Sequence, residues 1–154
     1  MDIVYPARAE KGLPAVFWVH GGGWSDEKLT RKYLPSVELA ELSGRGYTTV
    51  SIDYRLSQAA PFPAQIEDCK AAVRFLRANA QKYHVDPERI AAWGESAGGH
   101  LVELMAYTAE EEFRNDCYPS FSASIQAVIP WYAPDDLRMD EEKWNGQEAY
   151  KRMF

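Results

Sequence analysis

RIAAWGESAGG, residues 89–99, decides the fold: a short apolar run, a glycine-flanked serine, then a helix opening. Gly94-Glu95-Ser96-Ala97-Gly98 has the form G-x-S-x-G, a common pattern that gains meaning from its place between a strand and a helix. A serine on so tight a turn needs very small residues two before and two after it. The turn holds the hydroxyl clear of the sheet, and the N-terminus of the following helix aims free N–H groups at developing negative charge. Ser96 is therefore the candidate nucleophile, with Ala97 N–H beside it; a glycine-rich turn with an incidental serine is the plainer alternative.

Outward from this stretch, short apolar runs alternate with helical patterns. Residues 15–20 (AVFWVH) are almost wholly apolar, as in a strand buried on both faces. Pro35 is placed to open a helix that runs through Leu42 and stops at Gly44 and Gly46. Residues 47–53 (YTTVSID) are rich in β-branched side chains and read as a second strand. Pro61 and Pro63 lead into a long helix with Ile66, Cys69, Val73, Leu76 and Ala80 along one face, and Glu67, Lys70, Arg74 and Arg77 facing elsewhere. Asp86-Pro87 signals a turn before the strand at 89–93. A helix from Ala97 to about Tyr107 follows, apolar on most sides. Residues 125–131 (IQAVIPW) form a fourth strand, whose ladder Pro130 limits. This alternation predicts the α/β class: a doubly wound, mostly parallel sheet with helices on both faces. Right-handed crossovers put the strand C-termini along one edge, where open α/β sheets bind ligands.

A second glycine-rich string, His20-Gly21-Gly22-Gly23-Trp24, falls at that edge directly after the first strand. Without side chains the backbone can approach a substrate and turn its N–H groups inward. An acyl-transfer enzyme needs such donors where the tetrahedral oxyanion forms. A phosphate cradle is the alternative, but the string has neither the Lys-Ser/Thr of a P-loop nor the G-x-G-x-x-G spacing of a dinucleotide site.

HGGGW, followed by YRLSQAAPFPAQIEDCKAAVRFLRANAQKYHVDPERIAAWGESAGGHL, resembles the α/β-hydrolase superfamily over residues 3–137. It is most similar to the bacterial esterase branch that includes acetyl-xylan, feruloyl-type and kynurenine-formamidase-like enzymes. The resemblance implies Ser96 as nucleophile and the N–H groups of Gly22, Gly23 and Ala97 as the oxyanion hole. It implies that His20, with Gly21, braces the loop by hydrogen bonds rather than exchanging protons. Tyr54-Arg55-Leu56 and Asp68 match structural positions there, with Arg55 and Asp68 expected to pair in a buried network.

A serine hydroxyl needs a base within hydrogen-bond reach, and α/β-hydrolases order their residues Ser, Asp or Glu, then His. The histidines are His20, His84 and His100, and none follows the fourth strand. His84 sits between a helix end and a turn at the opposite sheet edge. His100, four residues past Ser96, is expected to pack into the structure, with active-site contact as the alternative. Asp135 and Asp136 stand where some lipases place their acid, although Asp136 also aligns with a structural Pro-x-Asp-Leu turn. The chain thus reads as the N-terminal and central part of a single α/β-hydrolase domain over residues 1–154, incomplete at its C-terminal strands. Those strands, the acid and the base histidine would lie beyond it. The polar tail at 138–154 would lead into a further insert or helix.

Composition limits the rest. Apolar residues make up 46% and charged residues 26% of the 154, with net charge −6. No basic footprint points to nucleic acid. No apolar run is long enough to span a bilayer, and the N-terminus lacks a secretory pattern, so a cytoplasmic location is expected. Cys69 and Cys117 have no metal-like spacing and read as two buried thiols. No metal or organic cofactor is implied. Trp24, Trp131 and Tyr132 flank the active edge and either line a pocket or belong to the core. The expected partner is a small neutral carboxylic ester, and the sequence leaves oligomeric state open. The rival readings are an amidase or peptidase on the same fold, and a non-catalytic fragment or relative that acts by binding.

Overall fold

The computed structural model describes residues 1–9, 12–32 and 36–137, with side chains described from Leu39 onward in the first helix. Pro35 and the tail at 138–154 lie outside the described residues. Strands β1 (Asp2–Val4), β2 (Leu13–Val19), β3 (Thr48–Ile52), β4 (Val85–Glu95) and β5 (Ala127–Trp131) form one sheet in the order β1-β3-β2-β4-β5. Helices α1 (Ser36–Gly44), α2 (Ala64–Ala78) and α3 (Ala97–Tyr107) connect them. The four strands expected from the sequence are present and mutually parallel. The short β1 was not anticipated; it joins antiparallel, with Ile3 opposite Val50.

Strand β2 shows why an almost unbroken apolar run is needed. Ala15, Phe17 and Val19 pack with residues of α2 and α3, including Ile66, Val73, Leu76, Leu101 and Val102. Val16 and Trp18 point the other way and pack with Leu39 of α1 and Trp93 of β4. The period of two thus feeds two cores, one on each face. Val19 pairs with both Ile52 and Gly94, so β2, β3 and β4 end at the same level. His20, Asp53 and Ser96 therefore emerge side by side at one edge of the sheet.

The cations of α2 face away from its apolar stripe, as expected, yet Lys70 and Arg74 are fully buried. The segment between α3 and β5 folds over them and supplies carbonyls. Lys70 Nζ donates to Ala109 O and Glu112 O (both 2.8 Å), and Arg74 Nε donates to Cys117 O (2.7 Å). Their long apolar stems cover α2 while the charged heads find oxygen partners, which is what a buried cation requires. The thiols differ from the expectation that both are buried, since Cys69 is buried and Cys117 exposed.

On the α1 face the sheet is only partly covered. An open apolar groove of about 550 Å³ is lined by Leu42, Tyr47, Trp93, Ile129 and Trp131. Among the described residues, β5 is an edge strand, a position that tolerates Pro130. No helix among the described residues is long and apolar enough to cross a membrane.

Candidate active site

Ser96 is the hinge between β4 and α3 and adopts φ 49°, ψ −119°. That conformation is costly for a non-glycine residue and persists only where the surroundings enforce it. The enforcement is visible. Ser96 N–H donates to Trp131 O of β5 (2.9 Å), and Ser96 O accepts from His100 N–H of α3 (3.0 Å). The flanking glycines are obligatory by space. A Cβ on Gly94 would lie 2.3 Å from Gly98 O, and one on Gly98 would lie 2.1 Å from Val19 O. Strand, turn and helix thus meet at backbone contact, and Ser96 is left half-buried at the edge. The Ser96 side chain supplies no hydrogen bond to the start of α3, so Ala97 N–H stays unpaired by it.

The glycine loop after β2 lies against this turn. A Cβ on Gly21 would sit 3.1 Å from Glu95 O and 3.3 Å from Ser96 Cβ. Gly22 (φ 101°), Gly23 (φ 54°) and Trp24 (φ 58°) then run left-handed in succession. The Gly22 carbonyl turns back to accept from Ser25 N–H (3.0 Å) and Asp26 N–H (2.9 Å). Among the described residues, no protein group accepts from the N–H of Gly22, Gly23 or Ala97.

Beneath the loop, His20 is buried and its ring stacks on Tyr54, with centroids 4.4 Å apart. A carbonyl only accepts, so the 2.8 Å contact between His20 Nδ1 and Gly21 O places a proton on Nδ1. Burial pulls the imidazole below its ordinary pKa, against the opposing influence of the Gly21 carbonyl, Asp53 and Glu95. His20 is therefore a neutral donor near pH 7, with Nε2 3.9 Å from Asp53 Oδ1. Asp53 is held in turn by the Arg31 backbone N–H (2.6 Å) and guanidinium. The single hydrogen of the Tyr54 hydroxyl is shared between His20 O (3.0 Å) and Gly21 O (3.1 Å).

The other sequence candidates separate. Trp24 was weighed between pocket and core, and it is core: it is buried and packs edge-on against His100, 5.4 Å between centroids. The reason is the left-handed turn at Trp24, which carries the ring inward. Trp131 is exposed, but its ring lies on Trp93 (4.7 Å) and lines the groove on the α1 face; only its carbonyl touches the serine turn. Tyr132 is exposed at the edge and donates to Glu95 Oε2 (2.5 Å), the carboxylate preceding Ser96. Arg55 and Asp68 pair as expected, Nε to Oδ2 at 2.9 Å, with Glu67 joining at 3.0 Å. The network is half-exposed rather than buried.

Among the described residues, none of the three histidines makes a hydrogen bond to Ser96 Oγ. His20 braces the loop, His84 lies against Tyr5 (5.1 Å), and His100 is buried on Trp24, where desolvation lowers its pKa to about 4. Asp135 is exposed and faces Glu103 of α3, whose pKa rises through burial and then through Asp135. Tyr54 is the site residue that sequence reasoning left as merely structural. Its place two residues after β3, level with Gly21 in the register that pairs Val19 with Ile52, was the available signal.

A mostly parallel sheet with helices on both faces, a strand–turn–helix serine and a facing glycine loop define an α/β-hydrolase. The family model described as BD-FAE matches residues 1–153. The chain belongs to that family. It is 39% identical over 157 residues to carboxylesterase NlhH of Mycobacterium tuberculosis, covering 86% of this chain and 49% of that protein. Among solved structures, a bifunctional GH43-CE protein of Bacteroides eggerthii is 36% identical with a TM-score of 0.76, over 86% of this chain and 18% of that one. Esterase 2 of Thermogutta terrifontis, phosphoramylated by tabun, is 26% identical with a TM-score of 0.76, over 85% of this chain and 50% of that one. The chain thus spans about half the length of the first curated relative it matches.

Proposed function

We propose that this chain supplies the nucleophile and oxyanion hole of a serine esterase that cleaves small neutral carboxylic esters through an acyl-enzyme. Ser96 Oγ attacks the ester carbonyl carbon as its proton passes to a base. The carbonyl oxygen takes up negative charge and is met by the N–H groups of Gly22, Gly23 and Ala97. Collapse expels the alcohol, which leaves with the proton. Water then attacks the acyl-Ser96 ester and releases the acid. The base is a histidine outside this chain, since none of its three histidines makes a hydrogen bond to Ser96 Oγ.

The observation that carries this reading is the forced φ of Ser96 with Gly21 packed against its Cβ. That contact brings a strained serine and three unpaired N–H groups to one edge, an arrangement costly to build for packing alone. The relatives named above as esterases supply the bond type. The test is Ser96→Ala in the intact natural polypeptide, with 4-nitrophenyl acetate as substrate. Turnover is expected to fall by roughly 10⁴-fold or more, and unchanged turnover would refute the reading.

A further inference from the structure

We infer that Tyr54 is a positioning residue for the oxyanion hole: its hydroxyl, with His20 Nδ1, clamps the Gly21 carbonyl and so aims the Gly22 N–H. The inference rests on the esterase reading and adds a residue to it.

A trans peptide is planar, and its C=O and N–H point in opposite directions. Fixing the oxygen of Gly21 therefore fixes the hydrogen of Gly22. Two donors reach that oxygen from the core side, His20 Nδ1–H at 2.8 Å and Tyr54 O–H at 3.1 Å. Planarity then turns the Gly22 N–H away from those two donors, and Gly21 itself packs on Ser96. Clamping is needed here because three successive glycines have little intrinsic preference for one conformation. Neither donor can easily turn away. Tyr54 is 5% exposed, its ring is stacked on His20, and its hydroxyl also holds His20 O at 3.0 Å. Burial, aided by the nearby Cys69, Asp53 and Glu95, raises the phenol pKa, so the group stays a donor. The clamp is thus set before substrate arrives, which is the condition for oxyanion stabilisation without reorganisation.

Loss of a whole oxyanion donor lowers kcat by about 10²–10³-fold, so a donor left mis-aimed is expected to lose about 10–100-fold. The test compares Tyr54→Phe with wild type in the intact natural polypeptide, using 4-nitrophenyl acetate turnover and phenylboronic acid inhibition. Tyr54→Phe keeps the ring and its stacking. It is expected to lower kcat by that factor, leave KM within about twofold, and weaken the tetrahedral boronate adduct in parallel. Placing 4-aminophenylalanine at position 54 restores a para donor and is expected to recover most of kcat. It also tests the clamp if the phenylalanine variant does not fold. Unchanged kcat in Tyr54→Phe, or a folded 4-aminophenylalanine protein with collapsed kcat, would overturn the inference. Ser96→Ala is run alongside. Full turnover there overturns the serine reading itself, whereas inactive Ser96→Ala beside fully active Tyr54→Phe overturns only the clamp.

Discussion

Adding one methyl group at Gly98 tests whether backbone contact between α3 and β2 holds the serine turn. The new Cβ of Gly98→Ala would lie 2.1 Å from Val19 O and 2.5 Å from His20 O, where a real Cβ is essentially never closer than 3.0 Å. Both obstacles are main-chain atoms of the central strand and its exit, so no side-chain rotation relieves the clash. Helix α3 must withdraw by close to 1 Å. A gap of that size forfeits roughly a quarter to a half of the local dispersion energy. The side chains affected are Leu101, Val102 and Met105, all buried under α3. Each contributes about 1.5–3 kcal/mol through burial. Losing a quarter of that, together with about 1–3 kcal/mol of overpacking strain, gives a destabilisation of about 3 kcal/mol. Withdrawal also carries Ala97 N–H away from the glycine loop. Urea unfolding followed by circular dichroism measures the first effect. Gly44→Ala serves as control, because a Cβ there meets nothing within 4 Å. A Gly98→Ala protein within about 0.5 kcal/mol of wild type, the range of an ordinary surface change, would refute the packing argument.

Two further outcomes follow from the buried charges and rings. The His100 pKa is lowered by burial to about 4, and that of His20 is lowered too, against an ordinary value of 6.5. Below pH 6.5 the unfolded chain binds more protons, so stability is full above that pH and falls as pH drops toward 4. His100 alone is expected to cost about 2 kcal/mol at pH 5, read as a shift of the urea midpoint that shrinks in His100→Leu. A flat midpoint between pH 7.5 and 5 would contradict this. Arg74→Met removes the guanidinium that holds Cys117 O and Asn115 Oδ1 (2.6 Å) while retaining an apolar stem. Asn115 Oδ1 still accepts from Cys117 N–H (3.1 Å). Losing the charged donor from both oxygens is nonetheless expected to cost about 1–3 kcal/mol, seen as a lower melting temperature with faster proteolysis between residues 109 and 124. An unchanged melting temperature would show that the buried cation does not hold this segment.

Strand and helix order was legible because each element carries a local signal. The apolar run of β2 reports burial on two faces, and the glycines of 94–99 report backbone contact that side chains would block. The site's glycine loop was legible for the same reason. What the sequence could not show is where a long side chain finds its partner. Lys70 and Arg74 show in the sequence only as off the apolar stripe; the carbonyls of Ala109 and Cys117 that take them up come from about 40 residues away. Trp24 reads equally as pocket lining or core, and only its burial in the folded chain decides for core. Tyr54 lies 34 residues from His20, and only the parallel pairing of β2 with β3 makes them neighbours.

The central claim is that Ser96 is the nucleophile, and covalent trapping tests it most directly. The intact natural polypeptide is treated with a fluorophosphonate, digested, and the adduct mapped by tandem mass spectrometry, with Ser96→Ala as control. The account predicts a single phosphonyl group on Ser96 and none on the alanine variant. An adduct on another residue, or an unlabelled Ser96 in a folded protein that still hydrolyses esters, would contradict it.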